Sequence, residues 1–125
     1  GLEDRIDFLA ADGMAANWPE NQDVVLMSYL LSGVPGDAIP NLCAEAYRVL
    51  KPNGSIAVHD FMVGDDRSGP PLAALWQLQH MVYTPDGFGL TPGYIQSTLK
   101  AAGFEVTESR DLIPGMTKVV IGRKS

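Results

Sequence analysis

The stretch Tyr47-Arg-Val-Leu-Lys-Pro-Asn-Gly54, followed by Ser55-Ile-Ala-Val-His-Asp60, decides the fold. Ahead of its turn, Ile39, Leu42, Cys43, Ala46, Val49 and Leu50 recur at the three-and-four spacing of one buried helical face, with Asp37 placed to cap the start. Pro52 disfavours helical geometry at Lys51, and Asn53-Gly54 supplies a turn, so the helix stops there. Residues 55–62 then read as a buried strand. Upstream, Asp23-Val-Val-Leu-Met-Ser28 is a near-continuous apolar run of the kind that is buried on both faces of a parallel sheet. Runs of this kind suggest a parallel sheet.

The pattern extends in both directions. Arg5-Ile-Asp-Phe-Leu-Ala10 is a short strand candidate ending at Asp12-Gly13. Residues 64–71 form a loop, residues 72–83 a helix with Pro71 tolerated in its first turn, and residues 84–90 a second loop. Thr91-Pro92 is a cap followed by a first-turn proline. Ile95, Leu99 and Ala102 mark the buried stripe of the helix that follows, Lys100 suits its last turn, and Gly103 closes it. Residues 104–109 and 117–122 are strands joined too closely for a parallel crossover, so they are antiparallel. The expected fold is α/β: a partial Rossmann-like three-layer sandwich whose sheet is mostly parallel and ends in an antiparallel pair.

A chain of 125 residues with 9 Lys+Arg against 15 Asp+Glu and 46% hydrophobic content is expected to be one soluble domain, residues 1–125. The basic residues are scattered, which argues against nucleic acid. No apolar run reaches the roughly 20 residues of a membrane helix, and the first residues lack the pattern of a signal peptide, so a cytoplasmic location is expected. The single Cys43 allows no internal disulfide and no cysteine-based metal site, and reads as a small core residue. Neither histidine belongs to a metal-binding pattern, and no metal is expected.

These pieces resemble the carboxyl-terminal half of a class I S-adenosylmethionine-dependent methyltransferase, most closely the small-molecule O-methyltransferases. The resemblance rests on Asp23-Val-Val-Leu-Met-Ser-Tyr29, Tyr47-Arg-Val-Leu-Lys-Pro-Asn-Gly54, the strand after it, and Leu99-Lys-Ala-Ala-Gly-Phe104. It implies S-adenosylmethionine as cofactor, once the site is completed, and a small-molecule methyl acceptor. Carried over by position, Asp12 lies where the family has a residue beside the adenine amino group, with Gly13 and Met14 next to it. Its carboxylate can accept a hydrogen bond from that amino group, and the methionine can pack on the ring. An exposed turn is the plainer reading of Asp12-Gly13. Ser28 and Tyr29 end the second strand, where open α/β sheets bind ligands, and are placed to line the methionine side of the cofactor, while a half-buried aromatic with its hydroxyl in water is an equal reading of Tyr29.

Two departures matter. No G-x-G-x-G occurs: Gly33-Val-Pro-Gly36 and Gly87-Phe-Gly89 lack the strand-then-helix setting and read as turns. The glycine-rich loop and the ribose-binding acid of the family therefore have no counterpart, and weak or absent activity is expected of the chain alone. In the plant-type relatives a histidine base follows the strand, yet here that stretch reads Leu30-Leu-Ser-Gly33. Candidate replacements are His59 and His80, histidine being the usual side-chain base at neutral pH, and Asp60 at the strand end; a hydrogen-bonded structural residue is the plainer reading of His59, and a cap for the loop that follows is that of Asp60. Trp76, His80 and Tyr83 share a helical face able to wall an acceptor site, although such spacing also suits ordinary packing. Asp65-Asp66 reads as a solvated charge pair in a loop. The competing reading is a non-catalytic binding or assembly module. An oxidoreductase is disfavoured by the lack of a dinucleotide fingerprint. The apolar edge at residues 24–29 is expected to be filled by residues 5–11 or by a second chain in a symmetric dimer.

Overall fold

A computed structural model describes residues 1–83 and 89–125, excluding the side chain of Tyr83. Four strands, β1 (Gln22–Ser28), β2 (Leu50–Asp60), β3 (Glu105–Ile113) and β4 (Thr117–Arg123), alternate with three helices, α1 (Ala38–Val49), α2 (Pro71–Tyr83) and α3 (Pro92–Ala102). The sheet order is β1-β2-β4-β3. β1 and β2 are parallel across the α1 crossover, whereas β4 inserts between β2 and β3 and runs antiparallel to both. The α/β class holds, but one parallel pairing against two antiparallel ones corrects the mostly parallel expectation. The antiparallel hairpin lies directly on β2, so it makes up half of this sheet.

α3 forms as its signals dictate. Thr91 Oγ1 accepts the Tyr94 N–H at 3.2 Å, and Gly103 takes the left-handed conformation with φ of 107°. A Cβ on Gly103 would sit 3.0 Å from the Tyr47 ring, so both backbone and packing require glycine there. The start of α1 differs from expectation. Asp37 makes no side-chain cap bond; the Ala38 and Ile39 N–H groups are instead satisfied by the Pro35 and Gly36 carbonyls. Residues 51–54 are not a free connection either. β2 begins at Leu50, bulges, and resumes its ladder with β1 at Ser55. The Asn53 N–H donates to the Lys124 carbonyl and the Lys124 N–H to the Gly54 carbonyl, which ties the bulge to the end of β4.

One face of the sheet carries the core. Met27, Ile56, Val58 and Val120 pack against Ile39, Leu42, Cys43 and Ala46 of α1 and Ile95 and Leu99 of α3. Cys43 is a core residue, and burial pushes its thiol up to about 11. On the opposite face of β1, Val24 is 62% and Leu26 65% exposed, which corrects the expectation of burial on both faces. α1 and α3 share a single face, so the three-layer sandwich is realised as two layers there. The strand expected at residues 5–10 is also absent: a 3₁₀ turn at Glu3–Arg5 leads into irregular chain in which Phe8 is 93% exposed. A strand needs a hydrogen-bonding neighbour, and β1 pairs with β2 alone among the described residues. Residues 5–11 accordingly do not fill the β1 edge.

Candidate functional site

The carboxyl ends of β1 and β2 are locked together by side chains. The Ser28 hydroxyl and His59 Nδ1 are 2.8 Å apart, and His59 Nε2 lies 2.9 Å from Thr117 Oγ1 on β4. Both imidazole nitrogens are thus engaged, and the ring is buried beneath Tyr29, whose centroid stands 4.7 Å away. Tyr29 also contacts Phe61 and has a φ of 54°, so the chain turns sharply as it leaves β1.

Asp60 is fully buried. Its Oδ1 accepts the Phe61 N–H at 2.8 Å and its Oδ2 accepts the Ser32 N–H at 3.0 Å. Burial raises the carboxyl above the usual carboxylate range, and the bonds from Ser32 and Phe61 with nearby His59 offset part of that rise. The carboxylate thereby pins the 3₁₀ turn Leu31–Gly33 to the end of β2. From the other side the Trp76 indole N–H of α2 donates to Ser32 Oγ at 3.4 Å, and the indole stacks on Phe61 at 4.5 Å. His80, one turn further along α2, packs against Trp76 at 5.2 Å between ring centroids.

These groups border a cavity of about 250 Å³ lined by Ser32, Arg67, Gln77, His80, Met81 and Leu90 among others. Trp76 braces this wall. Tyr83 belongs to α2, but its side chain lies outside the described residues, as do residues 84–88 of the expected second loop, including Gly87 and Phe88. Asp65 is no free surface charge: its Oδ1 accepts the Gly93 N–H at 2.8 Å in the first turn of α3, while Asp66 accepts from Ser68.

A second cavity, about 430 Å³, lies between the first half of α1 and the loop after residue 11, and is lined by Gly13, Met14, Asn17, Asn41, Leu42 and Glu45 among others. Asp12 shapes this loop. Its carboxylate accepts the Met14 N–H at 2.9 Å, its carbonyl accepts the Ala15 and Ala16 N–H groups, and the Trp18 indole N–H donates to the Gly13 carbonyl at 2.8 Å. Gly13 and Met14 therefore line one cavity, with Asp12 exposed in the same loop. Ser28 and Tyr29 line neither of these two cavities; they brace the strand ends. Sequence reasoning did not single out Arg67, Gln77 or Asn41. Only Gln77, one residue after Trp76 on α2, stood near a signal that could have drawn attention to it.

A Rossmann-like crossover with a cavity at the carboxyl ends of its strands is the arrangement in which open α/β sheets bind ligands. Comparison with known proteins narrows the class. A family model described as the O-methyltransferase domain matches residues 1–105. The 3-hydroxy-5-methyl-1-naphthoate 3-O-methyltransferase of Streptomyces sahachiroi is 33% identical over 126 residues, spanning all of this chain and 36% of that protein. Human acetylserotonin O-methyltransferase is 31% identical over 82% of this chain and 29% of its own length. Among solved structures, human N-acetylserotonin methyltransferase in complex with S-adenosylmethionine superposes with a TM-score of 0.84 at 28% identity, covering 100% of this chain and 35% of that one. An O-methyltransferase family protein from Burkholderia thailandensis gives 0.84 at 25% identity over 99% and 37%. The chain belongs to the O-methyltransferase domain family. It spans about a third of the length of the relatives it matches.

Proposed function

We propose that this chain takes part in S-adenosylmethionine-dependent methyl transfer to the hydroxyl of a small molecule. The observation that supports the reading most directly is the placement of two chemically different cavities on one short connection. Ser32, in the segment joining β1 to α1, lines the first, and Ala38, where that segment enters α1, lines the second. The donor set of the larger cavity fits an adenosyl group: Met14 and Leu42 offer apolar surface for a flat ring, and Asn17, Asn41 and Glu45 offer donors and acceptors for its polar edge. Asp12, Gly13 and Met14 are the residues assigned to hold it. Bound S-adenosylmethionine supplies a methyl group on a sulfonium, the electrophile of the reaction.

The smaller cavity is assigned to the acceptor. Ser32 lines it with a hydroxyl that accepts the Trp76 indole N–H, on a backbone pinned by Asp60. Such positioning is the protein's main contribution to an in-line displacement. Asp60 and His59 act here as positioning residues, because their polar atoms are already engaged with the protein. Turnover by the 125 residues alone is expected to be low, since no G-x-G-x-G cofactor loop occurs in them. Calorimetric titration with S-adenosylmethionine tests the reading. Saturable heat that weakens in Asp12→Ala is expected; no heat up to millimolar ligand overturns it.

The exposed Val24 and Leu26 beside the open β1 edge favour a second, compatible reading, association of two copies along that strand. Light scattering is expected to give twice the chain mass, and a monomer would contradict it. No helix among the described residues is long and apolar enough to cross a membrane. The lone buried Cys43 suits a reducing compartment, and a cytoplasmic location is part of the proposal.

A further inference from the structure

The carboxyl end of β1 carries side chains that line neither cavity. Ser28 Oγ lies 2.8 Å from His59 Nδ1, the separation of a nucleophile and its base, and His59 Nε2 lies 2.9 Å from Thr117 Oγ1, a third group that orients the ring. The three residues come from β1, β2 and β4, and strand register sets them side by side: Ser28 is paired with His59, and His59 with Val119, two residues beyond Thr117. Thr117 is buried, as is His59 beneath the Tyr29 ring, whereas Ser28 is exposed. The chain turns directly after Ser28, since Tyr29 has a φ of 54° and the 3₁₀ turn Leu31–Gly33 follows. A sharp strand-to-helix turn displays a serine hydroxyl at the top of a sheet.

We propose that Ser28 is a nucleophile activated by His59, and that this chain takes acyl groups from activated carboxylic esters at that hydroxyl, an activity separate from methyl transfer. The imidazole proton resides on Nε2 and is donated to Thr117 Oγ1, which leaves the Nδ1 lone pair for the Ser28 O–H. Ser28 Oγ attacks the ester carbonyl carbon as its proton passes to Nδ1. The tetrahedral centre then collapses: the bond to the aryloxy oxygen breaks, that oxygen leaves with the bonding pair, and the imidazolium releases its proton to it or to water. Water deprotonated by the same imidazole later cleaves the acyl-serine, and the proton returns to Oγ. The ester class follows from a donor that is already spent. In nucleophile-elbow hydrolases the N–H after the serine binds the developing oxyanion, but here the Tyr29 N–H donates to the His59 carbonyl at 2.9 Å. Without that donor the leaving group must carry the step, which selects aryl esters over alkyl esters and amides. Leu26, exposed two positions upstream on the same face of β1, and the Tyr29 ring offer a short acyl group apolar contact.

The full chain is mixed with 4-nitrophenyl acetate, released nitrophenolate is followed by absorbance, and the acetylated position is mapped by peptide mass spectrometry. A burst of about one nitrophenolate per chain is expected, with acetyl on Ser28 and slow turnover afterwards. Ser28→Ala is expected to abolish both. His59→Gln is expected to slow acylation about a hundredfold, within the roughly 10²–10⁴ that a positioned base supplies. Thr117 is a positioning residue: Thr117→Val is expected to slow acylation about tenfold, the loss of one hydrogen bond, and Thr117→Ser to restore it, which lost packing alone would not do. Because His59 is buried, a further variant leaves it untouched: in Ser28→Cys the new thiol is expected to react with iodoacetamide at neutral pH about tenfold faster than a free thiol, as a thiolate paired with the imidazole. No burst, acetyl anywhere but Ser28, a burst unchanged in Ser28→Ala, or a Ser28→Cys thiol no faster than a free one overturns the proposal.

Discussion

The two cavities are built in opposite ways. The one at Ser32 is held from the core outward: a fully buried carboxylate fixes the turn, an indole fixes the hydroxyl, and stacked rings fix the indole. The one at Gly13 and Met14 is held on one side by α1 and on the other by a loop whose bonds are almost all to itself. Among the described residues, Trp18, packed partly on the core, and the ion pair of Arg48 with Glu20 at 2.6 Å anchor that segment. The difference teaches that the cavity proposed for the acceptor is preorganised by this chain's own packing, whereas the one proposed for the cofactor is one wall resting on a lightly held segment.

Breaking the braced side has the largest effect. Asp60→Ala strands two backbone N–H groups at the strand ends, each worth roughly 1–3 kcal/mol, and is expected to cost about 3 kcal/mol in urea denaturation. Loss of less than about 1 kcal/mol would mean that the turn is held by something else.

The same carboxyl gives the comparison a pH signature. Its folded value is raised by burial, so above the ordinary value of 3.8 the unfolded chain releases this proton first. The folded state then binds more protons, and Asp60's contribution falls as pH rises from the ordinary value through the raised one. Asp60→Asn, which cannot ionise, is expected to remove that fall. Parallel stability curves for the two proteins from acid to neutral pH would contradict it.

Trp76→Leu comes next. It removes the stack on Phe61 and the bond to Ser32, and is expected to cost about 1–2 kcal/mol while loosening the cavity at Ser32. Amides in the Leu31–Gly33 turn should then exchange faster with solvent, those of β4 unchanged. Asp12→Ala has the smallest effect on folding, within about 0.5 kcal/mol for an exposed side chain with one local bond. Its effect falls instead on S-adenosylmethionine binding. A large loss of stability there would show that the loop is braced after all.

Legibility in the sequence follows the same division. α3 could be read to the residue because Thr91, Pro92 and Gly103 encode its ends locally. The hairpin was legible because Pro114-Gly115 leaves too few residues for any other connection. Residues 5–10 carry a strand-like pattern, yet pairing depends on a neighbour that no local signal reveals. Burial of β1 was misread for the same reason: Val24 and Leu26 are as apolar as Val25 and Met27, and only the arrangement of helices distinguishes the faces. In the site, Asp60, Trp76 and His80 stood out as residue types. Ser32 was noticed only as the missing histidine, because its role comes from a carboxylate 28 residues away in sequence.

The central claim is that this chain carries both an acceptor side and an adenosyl-binding wall of a methyltransferase. Titrating the isotopically labelled chain with S-adenosylmethionine by NMR tests it most directly. The account predicts saturable shifts at the Gly13, Met14, Asn17 and Asn41 amides, with the β3–β4 hairpin unmoved. Shifts that saturate elsewhere while those four stay still, or no shifts at all, would contradict it.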